Sequence, residues 1–180
     1  MFDQFTTDPY SFDEVTSSPI TPVTPSQDVL RLGRLLPRSI YLGCASWNFP
    51  GWKGIVWGET SGVEDLTKRG LTAYCKHPVL RAVGIDWSFF GTLNEMSYAA
   101  MANQVDENFR FLIKAPQSVT DAVKRDPKGR FRSLNQDFLD LHAAMHEFVY
   151  PVINGLGENA GPLVFQLSPI PRPLLPTQAE

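Results

Sequence analysis

The sequence predicts an α/β fold of about four parallel strands with flanking helices, arranged as a truncated TIM (β/α) barrel. Apolar runs at residues 40–47, 80–90, 109–115 and 163–167 are separated by stretches patterned as helices. Strands alternating with helices of that length imply βαβ units and a parallel sheet. A closed barrel of this kind takes eight units and roughly 250 residues, whereas these 180 residues reach only the fourth strand. The expectation is a fragment holding the N-terminal half of a barrel: a flexible Pro/Ser/Thr-rich tail with a short helix over 1–38, then the barrel half over 39–180.

In chain order, the Ser-, Thr-, Pro- and Asp-rich stretch up to about residue 26 has neither helical nor strand periodicity, which predicts a mobile tail. Ser26 is placed to cap a short helix carrying Val29, Leu30, Leu32, Leu35 and Leu36, ended by Pro37. Its apolar side is expected at the bottom of the barrel. After the first strand, Val63, Leu66, Gly70, Ala73, Tyr74 and His77 recur at helical spacing up to Pro78. After the second, Leu93, Met96, Ser97, Ala100 and Gln104 give a short amphipathic helix. After the third, Phe138, Leu141, Met145, Phe148, Val149 and Val152 form an apolar stripe that Pro151 is predicted to bend or end early. Gly161 and Pro162 turn the chain into the fourth strand, and the proline-rich end is expected to add neither strand nor helix.

Composition narrows the function. With 43% hydrophobic, 12% aromatic and 19% charged residues the chain can bury a core. A net charge of -3 offers no basic footprint, so no nucleic acid partner is expected. The start, MFDQFTTDPY, lacks the basic and apolar regions of a secretory signal, and no run reaches the roughly 18 to 20 apolar residues of a membrane span. No membrane association is expected. Cys44 and Cys75 form neither a disulfide framework nor a metal motif, which suggests reduced thiols and a cytoplasmic setting. No glycine-rich phosphate loop identifies a cofactor.

Four blocks, GCASWNFPGWKGIVW (43–57), VGIDWSFF (83–90), FRFLIKAPQSVTD (109–121) and GPLVFQLSP (161–169), resemble the ordered signatures of the YecE-like family, also called the domain of unknown function 72. The resemblance covers Ser39 to about Pro169, the N-terminal half of such a domain, and implies a TIM-barrel fold with no assigned biochemical activity. The chain departs from many relatives in having Gly84 for a Glu, Asp86 for an Asn, Asp121 for a His after Thr120, and Ser168 where Leu-Pro-Pro is usual. A role for the missing Glu or His does not carry over.

Side chains two apart share a strand face. If Phe165 and Leu167 face helices, then Leu42, Cys44, Ser46, Gly84, Asp86, Leu112, Lys114, Val164 and Gln166 face inward. Each strand then ends in a polar residue, and Ser46, Asp86, Lys114 and Gln166 form an arc at the C-terminal mouth, where barrel enzymes bind ligands. Asp86 and Lys114 are either a structural ion pair or the candidate catalytic groups, Lys114 holding an anionic or carbonyl-bearing ligand and Asp86 acting as acid or base. Ser46 lacks a nucleophile-elbow context and reads as a hydrogen-bonding residue. Trp47 and Trp87 adjoin the mouth, where an aromatic face can stack on a sugar or base, while Trp52 and Trp57 are expected to cap the core.

His142 and His146 share a helix side without a third ligand, so no metal site is assigned. Lys124, Arg125, Lys128, Arg130 and Arg132 read as a solvated loop that can also attract a phosphorylated ligand. Two functions of different class follow. The intact domain binds or transforms a small polar or phosphorylated metabolite at the mouth, or the chain is a non-catalytic interaction module that self-associates or pairs with a complementary half-barrel.

Overall fold

The computed structural model describes residues 19–172. Its centre is a parallel four-stranded sheet in the order β1 (Leu42–Cys44), β2 (Leu80–Ile85), β3 (Arg110–Lys114) and β6 (Ala160–Val164). No closed barrel is formed by the described residues, because β1 and β6 are the two edges of the sheet. Helices α2 (Val63–Arg69) and α3 (Leu71–Tyr74) connect β1 to β2, and α4 (Glu95–Ala102) connects β2 to β3. Before β6 lie α5 (Gln117–Thr120), an antiparallel hairpin of β4 (Val123–Arg125) and β5 (Phe131–Leu134), and a long helix.

Alternation sets the two faces of the sheet. Val83, Ile85, Phe111 and Ile113 point toward the helices and are buried, while Leu112, between two of them, is exposed. The helix-covered face joins Tyr74, Tyr98, Met101, Phe148 and Val152 in one core. The β1–β2 contact is so close that a Cβ on Gly43 would run into the Ala82 carbonyl. Tyr74 bridges the same pair, its hydroxyl accepting from the Cys44 N–H (3.0 Å) and donating to the Ala82 carbonyl (3.1 Å). Burial pushes this phenol well above its ordinary pKa, so it stays neutral and able to donate.

The amino-terminal helix α1 (Gln27–Leu35) forms as its cap predicts: the Ser26 hydroxyl accepts from the Val29 N–H at 3.3 Å. Arg81, at the start of β2, donates to the Gly33, Leu36 and Pro37 carbonyls, satisfying the orphan acceptors at the helix end. That places α1 at the N-terminal end of the sheet, although Leu32 and Leu35 remain exposed.

Several expectations are corrected. The predicted tail lies outside the described residues over 1–18, but beyond them Ile20 is buried and Val23 and Gly58 exchange backbone bonds with Val56 and Thr21. The apolar side chain and a paired backbone order a stretch that composition alone marked as mobile. In α4 the buried side chains are Ser97, Tyr98 and Met101, and Met96 is 80% exposed. Gly155 sets that rotation by bringing its own helix against the Glu95 carbonyl and Tyr98.

Pro151 neither ends nor interrupts the long helix. It falls in the first turn of α7 (Tyr150–Leu156), immediately after α6 (Leu141–Ala143) and a π-helical segment, Ala144–Val149. The wider turn absorbs the ring and the missing donor that would break an ordinary helix interior. The hairpin was not anticipated either. Asp126-Pro127-Lys128-Gly129 is a turn signal, with Gly129 at φ +78, and Asp126 accepts from the Lys128 and Arg130 N–H groups at 2.9 Å each.

Candidate functional site

Because the four central strands run parallel, Ser46, Asp86, Lys114 and Gln166 all fall at one edge of the sheet. Lys114 ends β3, Asp86 directly follows β2, and Ser46 and Gln166 lie two residues beyond β1 and β6. No ion pair joins them among the described residues. Asp86 leaves the extended conformation (φ -78, ψ -27) to open a short 3-10 turn, Trp87–Phe89, and its side chain is exposed.

The ion pair considered between Asp86 and Lys114 does not form among the described residues. The same turn swings Phe89 beneath the lysine, whose Nζ lies 5.5 Å from the ring centroid. Lys114 therefore meets an aromatic face and not the carboxylate of the ion-pair alternative. Gln166 is exposed and Ser46 half-buried.

Ser88 organises this edge and carries no signal in the sequence. Its buried hydroxyl lies 2.6 Å from both the Ile85 and the Lys114 carbonyl oxygens, so one proton is shared between the ends of β2 and β3. A second polar knot sits in the turn after β3. Asp121, buried, accepts from the Val123 N–H and from Arg125 Nε, each at 3.0 Å. Asn135 donates to the Ser118 and Asp121 carbonyls, and the Ser168 N–H reaches the Thr120 carbonyl at 3.1 Å. Asp121 is thus a buried carboxylate that holds a loop.

The aromatic loop after β1 is latched inward. Trp47 is 2% exposed and its indole N–H donates to the Thr67 carbonyl at 3.1 Å, so the ring offers no face for stacking, contrary to its assignment as a ligand contact. The cause is α2, which takes up Trp47 and also binds Asn48 through the Thr67 hydroxyl at 2.8 Å. Trp57 is buried with its N–H on the Phe49 carbonyl, and Trp52 and Trp87 pack against the core.

The five cations after β3 are largely matched. Arg125 pairs with Asp121 (3.0 Å), Arg130 with Asp126 (2.7 Å) and Lys124 with Asp137 (3.8 Å). The Arg130 N–H and guanidinium hold the Asp126 carboxyl below its ordinary pKa. His142 and His146 stack at 4.2 Å on an exposed helix face, and no group of three metal-ligating side chains occurs among the described residues.

At the opposite end of the sheet a cavity of about 240 Å³ is lined by Cys75, His77, Arg81 and Asp106, among others. Burial pushes the Cys75 thiol up, helped by the Asp106 carboxylate, and pushes the His77 imidazole down. Arg81 is already committed to α1 there. Cys44 and Cys75 are both free thiols. No helix among the described residues is long and apolar enough to cross a membrane.

A parallel α/β sheet with a polar C-terminal edge is the class that these features define. The model for the family described as "Protein of unknown function DUF72" matches residues 41–177, and the chain belongs to that family. A crystal structure of a DUF72 family protein from Enterococcus faecalis V583 is similar, with a TM-score of 0.50 and 17% identity over 71% of this chain. The chain covers 39% of that relative's length, and at such identity the likeness concerns the fold alone. No functionally curated protein matches the chain.

Proposed function

We propose that the four-stranded sheet is an arc of a (β/α) barrel, and that its C-terminal edge binds a small polar or phosphorylated metabolite in the cytoplasm. The observation that carries this reading is Lys114, a cation at the end of a central strand with no carboxylate partner among the described residues. Ligands of barrel proteins sit at the C-terminal strand ends, and a lysine there serves as a point charge for an anionic group. Asp86, exposed one residue beyond β2, is free to meet the polar part of such a ligand as acid or base. Ser46 and Gln166 supply hydrogen bonds from either side. Trp47 has no part in this site, being covered by α2.

Calorimetric titration with inorganic phosphate and a panel of phosphorylated metabolites tests the reading. Binding should weaken at least about tenfold in Lys114→Met, with a smaller loss in Asp86→Asn. Binding that survives Lys114→Met, or that is lost only on changing Lys76, which also lines the cavity at the opposite end of the sheet, would place the ligand elsewhere.

A further inference from the structure

We propose that His142 and His146 form a two-imidazole site for a late first-row divalent cation, of the class of Ni2+, Cu2+ and Zn2+, on the exposed side of the long helix before β6. The chain has three histidines, and two of them stand four positions apart on this helix. Side chains so spaced are neighbours on a helix surface. Asp140 starts the helix by accepting from the Ala143 N–H at 2.8 Å, and the burial of Ala143 and Phe148 fixes which side turns inward. Both imidazoles are left on the exposed side.

The spacing of the two rings carries the inference. Their centroids are 4.2 Å apart and their planes are tilted by 31°. Metal–nitrogen bonds of about 2.0–2.1 Å set two imidazoles at adjacent positions of one ion with centroids roughly 4.5–5 Å apart, so this pair already stands close to a chelating separation. The ring contacts of the pair are with each other and, for His146, with Tyr150, which meets it edge-on at 5.2 Å. Neither imidazole has a hydrogen-bond or ion-pair partner among the described residues, which leaves a nitrogen lone pair of each uncommitted. Rotation of the exposed His142 about its side-chain torsions opens the tilt and brings one nitrogen of each ring to a common ion.

The donor set selects the class of ion. Imidazole suits Cu2+, Ni2+ and Zn2+, with Cu2+ bound most tightly, whereas Mg2+ and Ca2+ take oxygen ligands. Glu147, next along the chain and exposed, adds a negative charge beside the site. Water completes the coordination, since no third metal-ligating side chain is grouped with the pair among the described residues.

Calorimetric titration of the full chain with nickel chloride is the test. One Ni2+ per chain should bind, and magnesium chloride should give no comparable heat. His142→Asn and His146→Asn, both at exposed positions, should leave the circular dichroism spectrum unchanged and should each weaken Ni2+ binding at least about tenfold. His77→Gln, Cys44→Ser and Cys75→Ser should bind Ni2+ as the wild type does. In wild-type protein, substoichiometric Cu2+ should broaden the ring-proton resonances of His142 and His146 before those of His77, a readout that needs no variant.

Absence of Ni2+ binding overturns the proposal. So does binding that survives either His142→Asn or His146→Asn, binding that a folded His77→Gln, Cys44→Ser or Cys75→Ser variant loses, binding that Mg2+ matches, or Cu2+ broadening that reaches His77 first.

Discussion

The two faces of the central sheet are built from alternate residues of the same strands, yet they differ sharply in cover. Phe111 and Ile113 are fully buried under the helices, while Leu112 between them is 38% exposed on the other side. A strand that faces solvent on one side ordinarily alternates apolar with polar residues, and an unbroken apolar run belongs to strands covered on both sides. In β3 the apolar run is Phe111, Leu112 and Ile113, between Arg110 and Lys114, and only its Phe111 and Ile113 side receives cover from the described residues. Leu112 and Phe111 are comparable in chemistry; what differs is whether a helix lies against them.

The contrast is open to direct attack. The largest effect is expected for Phe111→Ala, which should cost about 3–5 kcal/mol in urea denaturation, against about 1 kcal/mol or less for Leu112→Ala in dilute protein. Equal costs would erase the distinction between the faces. Gly155→Ala sets a Cβ 2.5 Å from the Glu95 carbonyl and from Tyr98 Cβ. Prying α7 from α4 should cost about 1–3 kcal/mol, and a neutral substitution would mean the helical layer is looser than its packing implies.

Ser88→Ala leaves two strand-end carbonyls without their shared donor and should cost about 1–2 kcal/mol by thermal melting. The smallest effect is at the N-terminal end. His77 has its pKa lowered by burial, so the unfolded chain binds the extra proton first. Stability should fall as pH drops below the unfolded value of about 6.5 and level off below the folded value. His77→Gln should flatten that part of the melting profile.

The parallel sheet was legible because its strands are apolar runs separated by helix-length spacers, and Ser26 announced α1 through its cap. What escaped was decided by contacts remote in sequence. Ile20 is ordered only because residues 56–58 pair with its neighbours, and Pro151 is tolerated only because the preceding turn widens. β4 and β5 are short and, apart from Val123, exposed, with charged residues among them, so no hydrophobic period marked them, although Asp126-Pro127-Lys128-Gly129 spelled out the turn.

The site was partly legible for the same reasons. Alternation brought Ser46, Asp86, Lys114 and Gln166 to one end, but treating Asp86 as a continuation of β2 suggested a partner for Lys114 that the 3-10 turn removes. Trp47 read as a mouth residue because nothing in its neighbourhood reveals that Thr67, twenty positions on, claims its indole.

The shared proton of Ser88 has a mechanical consequence. Two adjacent strands are tied at their C-terminal ends by a single hydroxyl, which joins the turn bearing Phe89 to the backbone of Lys114. A load placed on the ammonium is passed directly to the aromatic ring beneath it and, through that hydroxyl, to the loop that carries Asp86.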